Sequence, residues 1–299
     1  MDEIAILGVG MHPWGKWGRN FVEYGTAAAH DALDDAGVDW NDVDFVSGAV
    51  TVRCGYPGYV AGSTFGRALG FTGAQVASSY AACASGATAL QVARGQILSG
   101  AADVAIVVGA DTTPKGFLAP NEGDRPDDMD WLRFRLVGAT NPVYFGLHAR
   151  RRMDLYGATR EDFARVKVKN SRHSVHNPRA RFTKEYDLDD VANSPVVSDP
   201  LRLLDICATS DGGAAIVVSS MEWARAHGHD DPVRVAGIST VLPTYPDTII
   251  DLPYLATDSG SAGELPELTF KESIGAKVYE EAGLGPDDVD VAEVYDLSS

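Results

Sequence analysis

Two stretches of this chain, far apart in sequence, repeat one pattern. Ala32–Val38 followed by Asp42–Val46 corresponds in order and spacing to Val278–Leu284 followed by Asp288–Ala292. Each copy has the pattern of a helix end, a glycine where a left-handed residue is favoured, and a strand. The duplication predicts two similar lobes, and the second copy reaches only Ser299, just past its predicted strand.

Strand and helix patterns alternate through the first half of the chain. Buried apolar runs at Ile4–Gly8, Asp44–Val50 and Ala102–Ala110 predict strands, while Phe21–Ala36 and Ser85–Leu98 have helical patterns. This alternation predicts an α/β sheet.

The pattern loosens between Thr112 and Asp205, where Pro, Asp and Arg clusters surround predicted helices at 145–156 and 160–177. We interpret this segment as a long excursion from the sheet. A buried strand at Gly212–Ser219 follows it.

Val233–Ser239 matches Ile4–Val9 as the strand that opens a repeat. The predicted division is therefore a first half at 1–231, which includes the excursion, and a second half at 232–299.

Composition excludes several classes of function. With 299 residues, 45% hydrophobic, the chain can bury a sizeable core, and its net charge of −17 argues against nucleic-acid binding. Three scattered cysteines do not make a disulfide framework, and the acidic N-terminus does not resemble a secretory leader, so a cytoplasmic location is expected. No apolar run approaches the roughly 20 residues of a membrane helix.

Cys83 is the first candidate for chemistry, because it stands immediately before the helix predicted from Ser85. A thiol in that position faces unpaired backbone N–H groups and the positive end of the helix dipole, which favour the thiolate. The small residues around it leave room for a substrate. The other interpretation is a buried, inert cysteine, because free Cys packs as a small hydrophobe.

Several motifs together resemble one family. The Cys-Ala-Ser-Gly sequence at Cys83–Gly86, with His148–Met153, Asn177–Phe182, Ser198–Asp205 and Ser210–Ala215, is similar to the sterol-carrier-protein or lipid-transfer-protein branch of the thiolase superfamily. The resemblance runs through essentially the whole chain. It implies an α/β thiolase fold, with two duplicated βαβαβ halves in αβαβα layers, the second half truncated at its C-terminus.

Tyr295 departs from the pattern of that family. It stands where thiolases carry Asn, and the sterol-carrier branch His, to hold the thioester oxygen. A phenol can donate a hydrogen bond to an oxyanion or exchange a proton, although its ordinary pKa near 10 requires tuning for base catalysis. The alternative interpretation is that Tyr295 fills a position in the hydrophobic core. The resemblance also places Asp296 beside the substrate, and Tyr245, in a loop after a second-half strand, is a second pocket candidate or a turn residue.

Two catalytic residues of the family lie beyond the matched region. The later Gly-His-Pro histidine and the second cysteine, which exchanges the proton on the substrate α-carbon, have no counterpart up to Ser299. A Claisen-type thiolase cannot be assembled from these residues alone.

Basic residues cluster in the excursion of this acidic chain. They are Arg150, Arg151, Arg152, Lys167, Lys169, Arg172, Arg179 and Arg181. A solvated helical face and a patch for the phosphates of coenzyme A are both consistent with this cluster.

Two other signals do not predict sites. Gly8 and Gly10 follow a strand as in a dinucleotide loop, but Pro13 and Trp14 stand where the third glycine and helix belong. The histidines lack the spacing of a metal site, so no metal is expected.

Three functions remain open. The resemblance to actinobacterial steroid side-chain aldolases implies retro-aldol cleavage of a β-hydroxyacyl-CoA: a 17-hydroxy steroid thioester would yield a 17-ketosteroid and propionyl-CoA. The alternatives are a 3-ketoacyl-CoA thiolase with Cys83 as nucleophile, and a non-catalytic acyl-CoA-binding scaffold. The resemblance also implies a homodimer, a partner protein with an OB-fold domain linked to an enoyl-CoA hydratase, and coenzyme A as part of the substrate without a tightly bound cofactor.

Overall fold

The computed structural model describes residues 3–51, 54–114, 140–241, 270–295 and 297–299. The chain divides into two compact units, Met1–Thr113 with Ser210–Val291 and Pro114–Thr209 with Ala292–Ser299. It leaves the first unit after Thr113 and returns to it at Ser210. The predicted division at 231/232 follows the sequence repeat rather than these units, and it stays a prediction.

The first unit contains a mixed sheet of six strands. They are β1 (Ile4–Met11), β2 (Phe45–Ala49), β3 (Gln75–Ser79), β4 (Val104–Asp111), β7 (Gly212–Ser220) and β8 (Val233–Val235). Their spatial order is β3-β2-β4-β7-β1-β8. β2 is parallel to β3 and β4, whereas β7 is antiparallel to β4 and β1, and β8 is antiparallel to β1. The α/β sheet predicted from sequence is thus present.

The helices of the first unit lie between these strands and after the last of them. They are α1 (Phe21–Ala36), α2 (Tyr56–Tyr59), α3 (Ala61–Leu69), α4 (Ser85–Leu98), α8 (Met221–Ala226) and α9 (Phe270–Ala282). α1 begins with a capping box between Asn20 and Glu23, and it ends at Gly37, whose φ of 63° is left-handed. The predicted bounds of α1 and α4 are confirmed.

Two hydrophobic clusters pack on the sheet. One joins α1 and α3 to it through residues such as Ala28, Ala32 and Phe65. The other joins α4 to it through Ala89 and Ala93. Alanines at these positions let the helices approach the sheet closely, so both faces of the central strands are buried.

The second unit is mainly helical. It contains α5 (Asn141–Tyr156), α6 (Arg160–Ser174), α7 (Leu188–Ala192) and a two-stranded ladder of β5 (Val196–Ser198) with β6 (Leu201–Arg202). Capping boxes at Thr159 and Asp187 begin α6 and α7. The two predicted helices of the excursion are therefore present, with α5 starting four residues earlier and α6 ending three residues earlier than predicted.

The second copy of the repeat does not form its predicted strand. Its helix α9 ends before Gly283, which has a left-handed φ of 66°, as in the first copy. Residues 289–295 then form no strand, and Val291 is 88% exposed, whereas every residue of β2 is buried between β3 and β4. No described strand lies beside residues 289–295 to pair with their backbone groups. The prediction that Tyr295 follows a strand is wrong for the described residues.

The strand predicted at Val233–Ser239 is also shorter than expected. β8 ends at Val235, and its register with β1 covers only Ile4 to Ile6. After β8, the backbone N–H of Ile238 donates a hydrogen bond at 3.1 Å to a carboxylate oxygen of Glu281 in α9, and not to a neighbouring strand.

The close approach of β1 to α1 gives a test of the packing. A Cβ on Gly10 would lie 2.1 Å from the Ala28 carbonyl oxygen, whereas one on Gly95 in α4 would meet nothing within 4 Å. Gly10→Ala is expected to lower the free energy of unfolding by about 1–3 kcal/mol. Gly95→Ala, the matched control, should raise it by up to about 1 kcal/mol. Urea unfolding measures both, and equal effects would contradict this packing.

Candidate functional site

Cys83 lies in a tight turn between β3 and α4 of the first unit. β3 ends at Ser79, α4 begins at Ser85, and the thiol-bearing residue is exposed. Ala82 just before it has a φ of 46°, the one positive φ of a non-glycine residue among the described residues. Left-handed backbone at a non-glycine residue is strained and concentrates at functional sites. The inert, buried alternative for Cys83 does not fit this exposure.

Ser85 holds the turn. Its buried hydroxyl accepts a hydrogen bond from Ala81 N at 2.9 Å and donates one to Ala82 O at 2.7 Å. These two bonds offset the strain at Ala82 and keep Cys83 at the start of α4. In the sequence, Ser85 stands out only as part of the motif at Cys83–Gly86, so this role was not predicted.

The turn opens at the edge of the sheet where the parallel strands β2, β3 and β4 end. That edge is where open α/β sheets bind ligands. Two exposed tyrosines stand there, since Tyr59 of α2 and Tyr80 of the turn have ring centroids 6.1 Å apart. Aromatic rings beside an exposed nucleophile provide apolar surface for an acyl group.

Asp211, immediately before β7, holds together three segments at this edge. Its carboxylate accepts hydrogen bonds from Lys16 Nζ at 2.8 Å, Thr113 N at 2.9 Å and Thr113 Oγ1 at 3.1 Å. Burial raises the pKa of this carboxyl, but the hydrogen bonds outweigh it and hold the pKa of Asp211 below its ordinary value. Nothing in the sequence pairs Lys16 with Asp211, so sequence analysis missed this network.

Cys54 lies near the same network and is half-buried. Burial raises the pKa of the Cys54 thiol; the backbone N–H of Thr112 opposes that shift, and the carboxylates of Asp111 and Asp211 add to it. The neutral thiol is favoured there, so Cys54 is a weaker nucleophile than an exposed cysteine.

Tyr295 belongs to the second unit and is 70% exposed. The residues that follow it pair with the segment that ends the excursion: Cys207 N donates to Leu297 O at 2.9 Å, and Ser299 N donates to Asp205 O at 2.9 Å. Burial raises the pKa of the Asp205 carboxyl, against the opposing effects of Arg202 and Lys167. The chain after Tyr295 is therefore anchored although the tyrosine is not in a strand.

The other predicted site residues, Tyr245 and Asp296, lie outside the described residues. Cys83 lies in the first unit and Tyr295 in the second. Among the described residues, no group of three or more His, Cys, Asp or Glu side chains could hold a metal ion.

Several cations of the excursion have partners within the second unit. Arg150 and Arg160 both pair with Asp199, and Lys167 lies 3.9 Å from the ring centroid of Phe182. These cations are engaged by the second unit itself. Lys169 forms no ion pair within the described part of the chain.

The sheet order and the strand–turn–helix at Cys83 define an α/β fold of the thiolase type. The family model for the N-terminal domain of thiolase matches residues 4–222, and the chain belongs to that family. No helix in the described ranges has the length and apolar character needed to cross a membrane.

Similar proteins include a sterol carrier protein, a thiolase subunit and an aldolase. Sterol carrier protein 2 of Rattus norvegicus is 31% identical over all of this chain and 55% of its own length. The benzoylsuccinyl-CoA thiolase subunit BbsB of Thauera aromatica is 32% identical over 98% of this chain and 72% of its own. The structure of an Ltp2-ChsH2(DUF35) aldolase has a TM-score of 0.69 at 26% identity, covering 99% of this chain and 74% of that one. The chain thus spans about half the length of the sterol carrier protein.

The lowered pKa of Asp211 predicts a pH-dependent stability. Its charged form is favoured in the folded state, so its contribution is present above the unfolded pKa and lost as pH falls through the folded pKa. Asp211→Asn should destabilise the protein by about 1–3 kcal/mol near pH 7, and the difference from wild type should shrink below about pH 4. Urea unfolding across pH measures this. Asp230→Asn, an exposed control, should show little change, and a pH-independent difference for Asp211→Asn would contradict the account.

Thiol labelling compares the reaction rates of the three cysteines. Exposed Cys83 and Cys207 should react with iodoacetamide faster than half-buried Cys54, by on the order of tenfold. Peptide mass spectrometry after timed labelling gives each rate, and labelling in urea, where the three rates converge, is the control. Faster reaction at Cys54 in the folded protein would exclude the described geometry.

Proposed function

We propose that the protein is a carbon–carbon lyase that cleaves β-hydroxyacyl-CoA thioesters by a retro-aldol reaction. The observation that carries this proposal is Tyr295, a phenol where thiolases hold the thioester oxygen with Asn or His. The similarity to the Ltp2-ChsH2(DUF35) aldolase supports it, because that structure covers 99% of this chain. A 17-hydroxy steroid side-chain thioester is the proposed substrate, giving a 17-ketosteroid and propionyl-CoA.

The reaction needs three groups. A base removes the proton of the β-hydroxyl, the bond between the α- and β-carbons breaks as the ketone forms, and its electron pair becomes the thioester enolate. A hydrogen-bond donor stabilises the enolate oxygen, and an acid then protonates the α-carbon. Tyr295 is the proposed donor or proton-exchange group. No acyl-enzyme forms, so the reaction does not require Cys83 as a nucleophile.

We infer that coenzyme A enters as part of the substrate and that no cofactor is tightly bound. We also infer a partner with an OB-fold domain, associated with an enoyl-CoA hydratase, because the similar aldolase is a complex of Ltp2 with ChsH2(DUF35). Three free cysteines suit a reducing compartment, and a cytoplasmic location is proposed.

We further infer a homodimer. Within the described part of the chain, β3 pairs only with β2, so its outer edge presents unpaired backbone groups. Val76 on that strand is 44% exposed. An open edge with apolar side chains is suited to pairing with the same strand of a second copy.

The dimer proposal predicts a change of assembly on altering the edge. Val76→Lys should convert a dimer, with a mass twice the 31.8 kDa of this chain, to a monomer in analytical ultracentrifugation. Val196→Lys, which alters a strand valine of the second unit that is 54% exposed, should leave the dimer intact. A monomeric wild-type protein would refute the proposal.

A second function is favoured by Cys83. An exposed thiol on a strained turn at a helix start is suited to attack a 3-ketoacyl-CoA, after which free CoA would resolve the acyl-enzyme. The thiolase subunit of Thauera aromatica supports this alternative by its 32% identity. The two reactions differ in their need for free CoA. A non-catalytic acyl-CoA-binding scaffold would perform neither.

Substitution of Tyr295 tests the lyase. With its candidate partner present and no free CoA, the wild-type protein should release ketone from a β-hydroxyacyl-CoA, and Tyr295→Phe should lower kcat/KM by about 10²–10³-fold. Tyr156→Phe removes a phenol of similar exposure and should have no effect. Cys83→Ala should lower the rate much less than in a thiolase.

Three other results separate the alternatives. Turnover only of a 3-keto substrate with added CoA would indicate the thiolase, and turnover of neither substrate the scaffold. Wild-type rates in Tyr295→Phe would remove Tyr295 from the mechanism.

A further inference from the structure

Residues 201–207, where the excursion ends, form a platform in the second unit. Within the platform, Leu203–Asp205 is a single turn of 3-10 helix. Leu201 and Ile206 pack into one hydrophobic cluster with α5 and α6, and Leu204 packs into another between α6 and α7. Because side chains on both sides of the turn are held in close-packed clusters, the platform has one position relative to these helices.

The carboxylate of Asp205 fixes the turn of the platform. Asp205 is 6% exposed, and its Oδ2 accepts a hydrogen bond from the backbone N–H of Arg202 at 2.8 Å. The guanidinium of Arg202 donates to the Ser194 carbonyl oxygen at 2.6 Å. A side-chain oxygen that accepts from a backbone N–H at the start of a turn stabilises that turn, as an N-cap stabilises a helix. The Asp205 side chain therefore sets the backbone conformation of residues 202–205.

The other oxygen of this carboxylate adds nothing to the stability of the platform. Oδ1 of Asp205 is buried and accepts no hydrogen bond from the described residues. Burial raises the pKa of the Asp205 carboxyl, although Arg202 and Lys167 place positive charge near it. A buried polar atom without a partner costs stability. A residue that carries such a cost is expected to serve the site rather than the stability of the fold.

The backbone of the platform pairs with residues 297–299. The Asp205 carbonyl oxygen accepts hydrogen bonds from Ser299 N at 2.9 Å and from Ser299 Oγ at 3.3 Å. Cys207 N donates to the Leu297 carbonyl oxygen at 2.9 Å, and an antiparallel bridge lies between these bonds. A slip of one residue in such a pairing moves the chain by about 3.4 Å and turns each side chain to the opposite face. The bonds at Asp205 and Cys207 therefore fix the register of residues 297–299.

Tyr295 stands two residues before this paired segment and belongs to the same unit. Its side chain is 70% exposed, so packing in the core does not fix its position. The paired segment that follows Tyr295 restricts where its backbone can lie. A displacement of about 1 Å in a catalytic group can lower a rate about 100-fold. Residues that hold the segment in register can therefore control a reaction at Tyr295 without contacting the substrate.

We propose that Asp205 is a positioning residue for Tyr295. The Asp205 carboxylate fixes the turn of the platform, its carbonyl oxygen holds Ser299, and residues 297–299 in register set the position of the phenol before the substrate binds. The proposal rests on the proposed lyase reaction, in which Tyr295 acts on the thioester. Asp205 acts through the backbone and takes no part in proton transfer.

Amide hydrogen exchange, followed by mass spectrometry, tests the anchoring without turnover. Asp205→Ala removes the acceptor inside the turn, so the peptides that contain Cys207 and Ser299 should exchange at least about tenfold faster than in the wild type. Asp162→Ala is the matched control, because the Asp162 carboxylate also accepts from the backbone N–H three residues before it, that of Thr159. The control should leave exchange in both peptides within about twofold. Unchanged exchange in Asp205→Ala would overturn the proposal.

Steady-state kinetics with a β-hydroxyacyl-CoA test the effect on the reaction. Asp205→Ala should lower kcat at least about tenfold and leave KM within about twofold, because the substrate still binds but the phenol is displaced. Asp205→Asn keeps a side-chain oxygen for the Arg202 N–H, so it should recover most of the lost rate. Asp162→Ala should keep the wild-type kcat. A change of KM alone, or a wild-type kcat in Asp205→Ala, would overturn the proposal.

The two measurements separate this proposal from the lyase reaction itself. A wild-type protein that cleaves no thioester with its candidate partner present would contradict the lyase. Faster exchange in Asp205→Ala would then still show that Asp205 holds residues 297–299. Equal losses of kcat in Asp205→Ala and Asp162→Ala would contradict the positioning role alone, because lost stability would explain both.

Ser299→Pro gives the same test if Asp205→Ala does not fold. It removes the N–H that Asp205 O accepts and leaves the platform unchanged. It should lower kcat at least about tenfold with KM within about twofold, and a wild-type kcat in this variant would overturn the proposal.

Discussion

The first unit depends on β7, the strand by which the chain returns from its long excursion. β7 lies between β4 and β1 and pairs antiparallel with both, with β4 from Gly212 to Ser219 and with β1 from Ala214 to Ser220. A central strand has a neighbour on each side to pair with its backbone groups. The position and register of β7 are therefore strongly specified. Asp211 at its start then binds Lys16 and Thr113, which joins the return to the ends of β1 and β4.

That arrangement explains why one edge of the sheet can carry chemistry. The parallel strands end at this edge. The hydroxyl of Ser85 holds the turn at Cys83 through two hydrogen bonds to the backbone. Ala82, whose backbone is left-handed, precedes the exposed thiol of Cys83. The backbone conformation of the turn is therefore set before any substrate binds. The same local geometry is suited to a nucleophile or to an apolar pocket wall. We propose lyase chemistry because of Tyr295, the residue in which this chain departs from the thiolase pattern.

Local patterns predicted the regular elements better than the contacts between them. Apolar runs and a Gly-capped helix identified β1, α1, α4, β4 and β7. The two helices satisfy their own backbone groups, and the three strands are apolar runs long enough to be recognised by themselves. The strand predicted before Tyr295 failed because a strand also needs neighbours, and the local pattern of residues 288–292 does not contain them. Lys16 and Asp211 were missed for a similar reason: a pair so far apart in sequence has no periodicity. Cys83 was found because a thiol before a helix is a local signal.

The central claim is that the thioester substrate is cleaved without a covalent acyl-enzyme. Intact-protein mass spectrometry during turnover of a β-hydroxyacyl-CoA in deuterated water tests it most directly, with the released thioester measured in the same sample. The account predicts an unchanged protein mass, and one solvent deuterium on the α-carbon of the released acyl-CoA. An acyl adduct on Cys83 that disappears on addition of CoA would contradict it.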